Sequence, residues 1–166
     1  MKQLAEAAIR DSFINCSKGE SRRISLPREV EELPWKHLDF LGWTDPRAPE
    51  RSYLVWQQGE DDAPIGVMLR HPDRLPGLQR NMCSLCLTTH GSGGVTLMAA
   101  RKSGPAGRKG DTVGLYMCAD LNCSLYVRGL KALPPGLRME ETLTVPEKVE
   151  RIKSRVAAFI QQVAST

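Results

Sequence analysis

Four cysteines lie in two pairs in the second half of the chain, and their thiol groups are suited to binding a metal. Cys83 and Cys86 are separated by two residues in "NMCSLCLTTHGSGG", and Cys118 and Cys123 are separated by four in "YMCADLNCSLY". Two such pairs around a short segment can direct four sulfurs at one tetrahedral zinc ion. Four thiolates fill the coordination shell and leave no position for water, so the spacing predicts one structural zinc ion.

Two other readings of these thiols stay open, a redox pair or buried unliganded groups. A redox Cys-x2-Cys motif is expected near a βαβ pattern, whereas the first pair here runs into the glycine-rich residues 91–94. His90 could compete as a ligand, but four cysteines already suffice, which favours a surface histidine near the site. Cys16 lies far from both pairs in the sequence, and we expect a half-buried free thiol there.

Catalytic motifs are lacking in the sequence. His37, His71 and His90 have no evident nucleophile partner, and neither a phosphate-binding loop nor a paired-carboxylate motif is present. We therefore expect a binding protein that is not an enzyme and has no small-molecule substrate.

Composition and the N-terminal segment bear on where the protein works. The 166 residues include 41% hydrophobic and 25% charged side chains, which suits an ordinary globular domain. No apolar run is long enough to span a bilayer, and "MKQLAEAAIRDSF" lacks the apolar region of a signal peptide. We expect a cytoplasmic protein without membrane contact, where thiols stay reduced and five cysteines favour metal binding over disulfides.

Positive charge is concentrated in the segment that holds the cysteine pairs. Residues 78–131 contain seven basic and two acidic side chains, a formal charge of +5, whereas the remainder of the chain carries −1. Arg101, Lys102, Arg108 and Lys109 belong to the stretch "RKSGPAGRKG". This distribution predicts an acidic protein surface or a nucleic-acid backbone as the partner. The alternative is a charged hairpin tip that is only solvated.

The elements that position the cysteines follow from alternation and turn residues. Strands are predicted at 38–43, 52–57 and 65–70, and their short turn-rich connections favour an antiparallel meander. Strands at 94–101 and 111–118 flank the basic stretch as a hairpin, which carries the chain from the first cysteine pair to the second.

Helical patterns precede and follow these strands. Helices are predicted at 3–15 and at 119–133, the second with Asp120 as its N-cap, and a short strand is predicted at 22–26. A linker is expected at 71–81. The clearest helix covers 144–163: Thr144 and Glu147 form a capping box, and its apolar stripe comprises Val149, Ile152, Val156, Ile160 and Val163.

These elements predict an α+β fold in three portions. Residues 1–77 form an antiparallel β-meander with helices, residues 78–135 form a four-cysteine zinc module, and residues 136–166 add an amphipathic helix that packs on the domain, so that all three portions make one compact unit. The order of cysteine turn, hairpin, second cysteine pair and helix resembles a treble-clef zinc finger.

The stretch at residues 82–129, "MCSLCLTTHGSGGVTLMAARKSGPAGRKGDTVGLYMCADLNCSLYVRG", carries a wider resemblance. It resembles the treble-clef domain of elongation factor G-binding proteins, a family that includes FusB-type fusidic-acid resistance proteins and short actinobacterial proteins often labelled fibronectin-binding. The resemblance to the short proteins covers nearly the whole chain. We expect the chain to lack the extra N-terminal helical bundle of the resistance proteins.

The resemblance implies a zinc domain that binds the C-terminal domains of elongation factor G. In the resistance proteins, this binding helps the factor leave a ribosome on which the drug has stalled it. Cys83, Cys86, Cys118 and Cys123 match the metal positions of the family.

Candidate partner contacts come from the residues themselves. They are the basic stretch and the face of the 119–133 helix that carries Tyr126, Arg128 and Lys131, although Arg128 and Lys131 could instead offset thiolate charge. Direct binding of ribosomal RNA is the alternative function, and fibronectin binding ranks below it.

Overall fold

Seven strands form two sheets among residues 1–72, 81–133 and 140–165, the residues that the computed structural model describes. In chain order they are β1 (Leu41–Thr44), β2 (Arg51–Trp56), β3 (Ile65–Arg70), β4 (Asn81–Met82), β5 (Thr89–His90), β6 (Val95–Arg101) and β7 (Thr112–Cys118). The larger sheet has the order β1-β2-β3-β6-β7 with every neighbouring pair antiparallel, and β4 and β5 form a separate hairpin. The predicted α+β class with an antiparallel meander is confirmed.

The larger sheet joins the N-terminal meander to the hairpin that lies between the cysteine pairs. Strands β1 to β3 pair in sequence order. Strand β6 then pairs with β3, with Arg70 opposite Ala99, and β7 pairs with β6 along its whole length. Strands from 1–77 and from 78–135 therefore share one sheet.

Apolar side chains cover both faces of this sheet. Along β2 the side chains alternate between the faces: Leu54 and Trp56 pack into one buried cluster, whereas Tyr53 and Val55 pack into the other. The first cluster contains the four paired cysteines, and the second is closed by the N-terminal residues. The tryptophans lie in the core, as expected, with exposures of 6–7%.

Five helices accompany the sheets in the described part of the chain. They are α1 (Glu6–Asp11), α2 (Lys18–Arg22), α3 (Gly104–Arg108), α4 (Cys123–Val127) and α5 (Val145–Ala164), with single 3₁₀ turns at Val30–Glu32 and Trp35–His37. The prediction for α5 is confirmed, because the side chains of Thr144 and Glu147 form the reciprocal capping box. Ile152, Val156 and Ile160 of its stripe are buried.

The N-terminal predictions need correction. The helix predicted at 3–15 is confined to α1. The strand predicted at 22–26 is wrong, because α2 runs to Arg22 and no strand follows it there. Helix α2 begins where Ser17 and Glu20 form a capping box. Gly19 lies between these two residues, and the low helix propensity of glycine made the capping box hard to recognise in the sequence.

Several predictions in the cysteine-bearing half also need correction. The helix predicted at 119–133 is reduced to α4, because Leu121 has φ +56° and a helix cannot pass through that conformation. Asn122, not Asp120, occupies the N-cap position. The basic stretch contains the short helix α3. Most of the linker expected at 71–81 lies outside the described residues, and Asn81 begins β4.

Candidate metal centre

The four paired cysteines converge on one point in the buried core. Their Sγ atoms all lie within 4.8 Å of one another, and Cys83–Cys123 and Cys86–Cys118 are separated by 3.7 and 3.6 Å. Sulfurs of a disulfide would lie about 2.05 Å apart. Sulfurs at the corners of a tetrahedron around zinc, each about 2.3 Å from the ion, lie about 3.8 Å apart. The donor set therefore fits one structural zinc ion.

The first pair sits in the tight turn of the β4–β5 hairpin. The Cys83 amide donates to the Thr88 carbonyl, and the Leu87 amide donates back to the Cys83 carbonyl at 2.9 Å. Leu87 has φ +59°, which folds the chain sharply after Cys86. These bonds hold both sulfurs on the same side of the turn, as the Cys-x2-Cys spacing predicts.

The second pair is placed by the end of a strand and the start of a helix. Cys118 is the last residue of β7, and Cys123 is the first residue of α4. The Leu121 amide donates to the Cys118 carbonyl and closes the intervening turn. Leu121 packs on Gly42 of β1, where an added Cβ would lie 2.5 Å from the Leu121 Cβ. A glycine in the meander therefore gives the cysteine turn room to reach the core.

His90 was expected at the surface, and the structure corrects this expectation. The residue is buried, with its Nε2 atom 3.3 Å from the Sγ of Cys118. Gly94 makes the space, because a Cβ there would lie 2.4 Å from the His90 Cβ. The ring also meets the ring of Tyr126 edge to face, with centroids 4.8 Å apart.

Burial lowers the pKa of His90, which favours a neutral ring. A zinc-bound Cys118 thiolate can only accept a hydrogen bond, so the Nε2–H must donate. His90 thus supports a ligand from outside the coordination shell.

The close approach of the four sulfurs shifts the pKa values of their thiols in opposite directions. Hydrogen bonds from Cys118 and then from Cys123 hold the pKa of Cys83 far below its usual range, and the pKa of Cys86 is lowered by the same two donors. The pKa of Cys123 is correspondingly raised, first by its hydrogen bond with Cys118. A divalent ion replaces the remaining protons when it binds.

Helix α5 fastens the first cysteine turn from the outside. The Arg151 side chain donates to the Cys86 carbonyl at 3.0 Å and is held by an ion pair with Glu141. One turn later, the Arg155 side chain donates to the Ser84 carbonyl at 2.6 Å. Sequence reasoning missed both arginines, because the helical pattern shows only the apolar stripe.

The three partner candidates around α4 make contacts within the chain. Arg128 forms a two-pronged ion pair with the buried carboxylate of Asp39, at 2.6 and 2.8 Å. The Tyr126 hydroxyl and the Lys131 ammonium both donate to Asp120, each at 2.8 Å. These side chains therefore connect α4 to its surroundings.

The basic stretch connects β6 to β7 as the predicted hairpin requires, and it contains the short helix α3, which its glycines did not indicate. Helix α3 packs against the end of α5, since the Ser103 amide donates to the Val163 carbonyl and its hydroxyl donates to the Ala164 carbonyl. Gly107 is required there, because a Cβ would lie 1.8 Å from the Lys102 carbonyl oxygen. Among the described residues, no ion pair involves any of the four basic residues Arg101, Lys102, Arg108 and Lys109.

One further polar pair has the composition of a nucleophile and its base. The hydroxyl of Ser52 lies 3.2 Å from Nε2 of His71. Ser52 is fully buried on β2, and its hydroxyl also lies 3.0 Å from the hydroxyl of Thr44. The pair satisfies polar groups inside the sheet.

Comparison with known proteins identifies one match. The family model described as the FBP C-terminal treble-clef zinc-finger matches residues 8–163. Searches of the curated proteins and of the solved structures returned no match. Among the described residues, the helices are all too short or too polar to cross a membrane.

Proposed function

The chain belongs to the FBP C-terminal treble-clef zinc-finger family, and from this membership we propose that it docks on translation elongation factor G and promotes release of the factor from the ribosome. The protein would act in the cytoplasm as a binding protein and not as an enzyme. The observation that carries the proposal is the family match over 8–163, which includes the complete four-cysteine centre.

The zinc centre supports this function by fixing a surface. It ties the β4–β5 turn, the end of β7 and the start of α4 to one ion, and α5 adds hydrogen bonds from Arg151 and Arg155. A surface held this way loses little conformational entropy on docking, which favours affinity.

The distribution of charge supports an acidic partner. Arg101, Arg108 and Lys109 are exposed, and Lys102 is half-buried beside them. Charges of this kind raise the association rate with an acidic surface, and salt weakens the effect.

Titration calorimetry with purified elongation factor G tests the proposal. We expect saturable binding at low salt that weakens at high salt, and an unrelated protein of similar acidity should not bind. Absence of binding to the factor at low salt, with zinc-loaded protein, would contradict the proposal.

Ribosomal RNA is the second candidate partner, because the same basic residues suit a phosphate backbone. RNA binding of this type weakens steeply with salt, in proportion to the number of phosphates contacted. A labelled ribosomal RNA fragment that binds more tightly than elongation factor G, with such a slope, would favour this alternative.

A further inference from the structure

A cleft of about 340 Å³ opens between the connection of α1 to α2 and the short helix α3. A smaller lobe of about 120 Å³ continues it along β3 and β6, beside Met68 and Arg70 of β3 and Ala99 of β6. Asn15, Cys16, Glu20 and Arg101 line both parts, so the two lobes form one groove. We call it the basic cleft.

Basic side chains dominate this cleft. Arg101, Lys102 and Arg108 line the larger lobe, and Arg70 lines the smaller one. None of these four side chains forms an ion pair within the described part of the chain. Glu20 is the one acidic residue among those lining the two lobes, which leaves a formal charge of +3.

Glu20 forms no ion pair with the basic side chains of the cleft within the described part of the chain. Its Oε2 atom accepts hydrogen bonds from both the amide and the hydroxyl of Ser17, each at 2.8 Å. These bonds form the capping box of α2 and lower the pKa of Glu20. The carboxylate is thus held in place at the start of its own helix.

The walls of the cleft are preformed. The side chain of Asn15 donates to the carbonyls of Met68 and Arg101, at 2.9 and 3.0 Å, and accepts from the Met68 amide. This fixes the α1–α2 connection to the sheet. Helix α3 is fixed on the other side through Ser103. A preformed charged groove binds without first having to order its own backbone.

We propose that the basic cleft binds the carboxylates of an acidic peptide segment. Three arginines and a lysine present forked and point-charge donors that suit carboxylates, and Ile14 and Met68 offer apolar surface for the side-chain methylenes. No aromatic ring is among the described residues that line the cleft, whereas grooves for single-stranded nucleic acid use aromatic stacking. We assign the segment to elongation factor G, and that assignment alone rests on the proposed function.

Hexaglutamate is the probe for the cleft itself. Added to the zinc-loaded, ¹⁵N-labelled protein, it should shift the amide signals of Cys16, Gly104 and Gly107 in a saturable way. Replacing Arg101 and Arg108 together by serine should weaken its binding by about tenfold or more, because two charge-assisted bonds are lost. The control replaces Arg28 and Arg47 by serine, removes the same charge from exposed positions elsewhere, and should change the affinity by less than about twofold.

A third variant gives a result that misfolding cannot imitate. Glu20→Gln retains a side chain that serves in a capping box but removes the negative charge beside Arg101. Hexaglutamate should bind this variant more tightly than the original protein. Equal loss in the cleft and control variants, weaker binding to Glu20→Gln, or cleft shifts produced by an oligouridylate but not by hexaglutamate would overturn the proposal.

The partner assignment is tested separately by competition. Hexaglutamate should displace elongation factor G, and the Arg101 and Arg108 double variant should bind the factor more weakly than the control variant does. If the factor binds but responds to neither change, the assignment is overturned while the proposed function stands. If hexaglutamate occupies the cleft and the factor does not bind at all, the proposed function fails and the acidic-peptide site stands.

Discussion

His90 is the residue beside the zinc site whose role can be isolated most cleanly. Its Nε2 atom lies 3.3 Å from the Sγ of Cys118, and donors to a metal ligand commonly change metal affinity by about 10- to 100-fold when removed. We expect His90→Ala to weaken zinc binding by at least about tenfold. His90→Gln keeps an N–H donor and should recover part of the loss. Competition with a chromophoric chelator at neutral pH measures both, and unchanged affinity in His90→Ala would contradict the assigned role.

Arg128 is expected to matter for folding. It pairs with Asp39, whose side chain is 2% exposed, so Arg128→Ala leaves a buried carboxylate without its partner. We expect the free energy of unfolding to fall by about 3–5 kcal/mol. Lys131→Ala is the matched control, because the Lys131–Asp120 pair is more exposed and should contribute less than about 1 kcal/mol. Urea denaturation with zinc in excess measures both variants, and equal small losses would contradict this role.

The sequence supports the prediction of the cysteine ligands better than that of their neighbours, for a physical reason. Ligand type and spacing are local properties, so Cys83, Cys86, Cys118 and Cys123 can be paired from the sequence. The burial of His90 depends on Gly94 crossing over its side chain. That contact depends on the turn after β5, and no hydrophobic periodicity in the sequence predicts it.

At the scale of elements, α5 stabilises the zinc turn through its charged side as well as its apolar stripe. Arg151→Ala removes the donor to the Cys86 carbonyl and one of the basic partners of Glu141, which also pairs with Lys148. We expect a loss of about 1–3 kcal/mol in the free energy of unfolding, together with faster zinc release to a chelator. Lys153→Ala, whose pair with Glu150 is exposed, should change stability by less than about 0.5 kcal/mol. If both variants release zinc at the original rate, the arginine does not fasten the turn.

Elements with strong periodicity were predicted well, and those made by tertiary contacts were not. Helix α5 has a capping box and a long apolar stripe in the sequence. Helix α3 consists of "GPAGR", whose glycines and proline are typical of a turn. It is helical because it packs against the end of α5 through Ser103, and because Gly107 lets the chain pass the Lys102 carbonyl. A contact across 60 residues leaves no trace in the local pattern.

At the scale of the whole molecule, the pairing of β3 with β6 makes one sheet from two stretches that look separate in the sequence. Arg70 and Ala99 are partners, and the first cysteine turn lies between them in the chain. The short connections of the meander and of the β6–β7 hairpin made each predictable. The pairing of β3 with β6 depends on how the cysteine turn brings β6 back beside β3. No local pattern in the sequence encodes this return, so the sequence could not show that one sheet connects both apolar clusters.

This shared sheet determines how far the effect of zinc should reach. The four cysteines belong to the same buried cluster as Trp56, whereas Trp35 and Trp43 belong to the cluster on the other face. Strand β2 contributes to both clusters, so loss of the metal should weaken both faces. Structural zinc contributes directly to folding free energy. We therefore expect chelation under reducing conditions to lower the melting temperature of the whole molecule in one transition.

Two single-tryptophan variants measure this coupling. Replacing Trp35 and Trp43 by phenylalanine leaves Trp56 as the reporter of the cysteine-bearing face, and replacing Trp35 and Trp56 leaves Trp43 for the opposite face. Each variant is melted with and without zinc, and coincident transitions that shift together indicate a single cooperative unit. Cys118→Ser should shift both reporters as chelation does, and Cys16→Ser, outside the cluster, should shift neither. A Trp43 transition that stays in place while the Trp56 transition falls would mean that the N-terminal face folds without the metal, and that zinc stabilises only the cysteine-bearing side of the sheet.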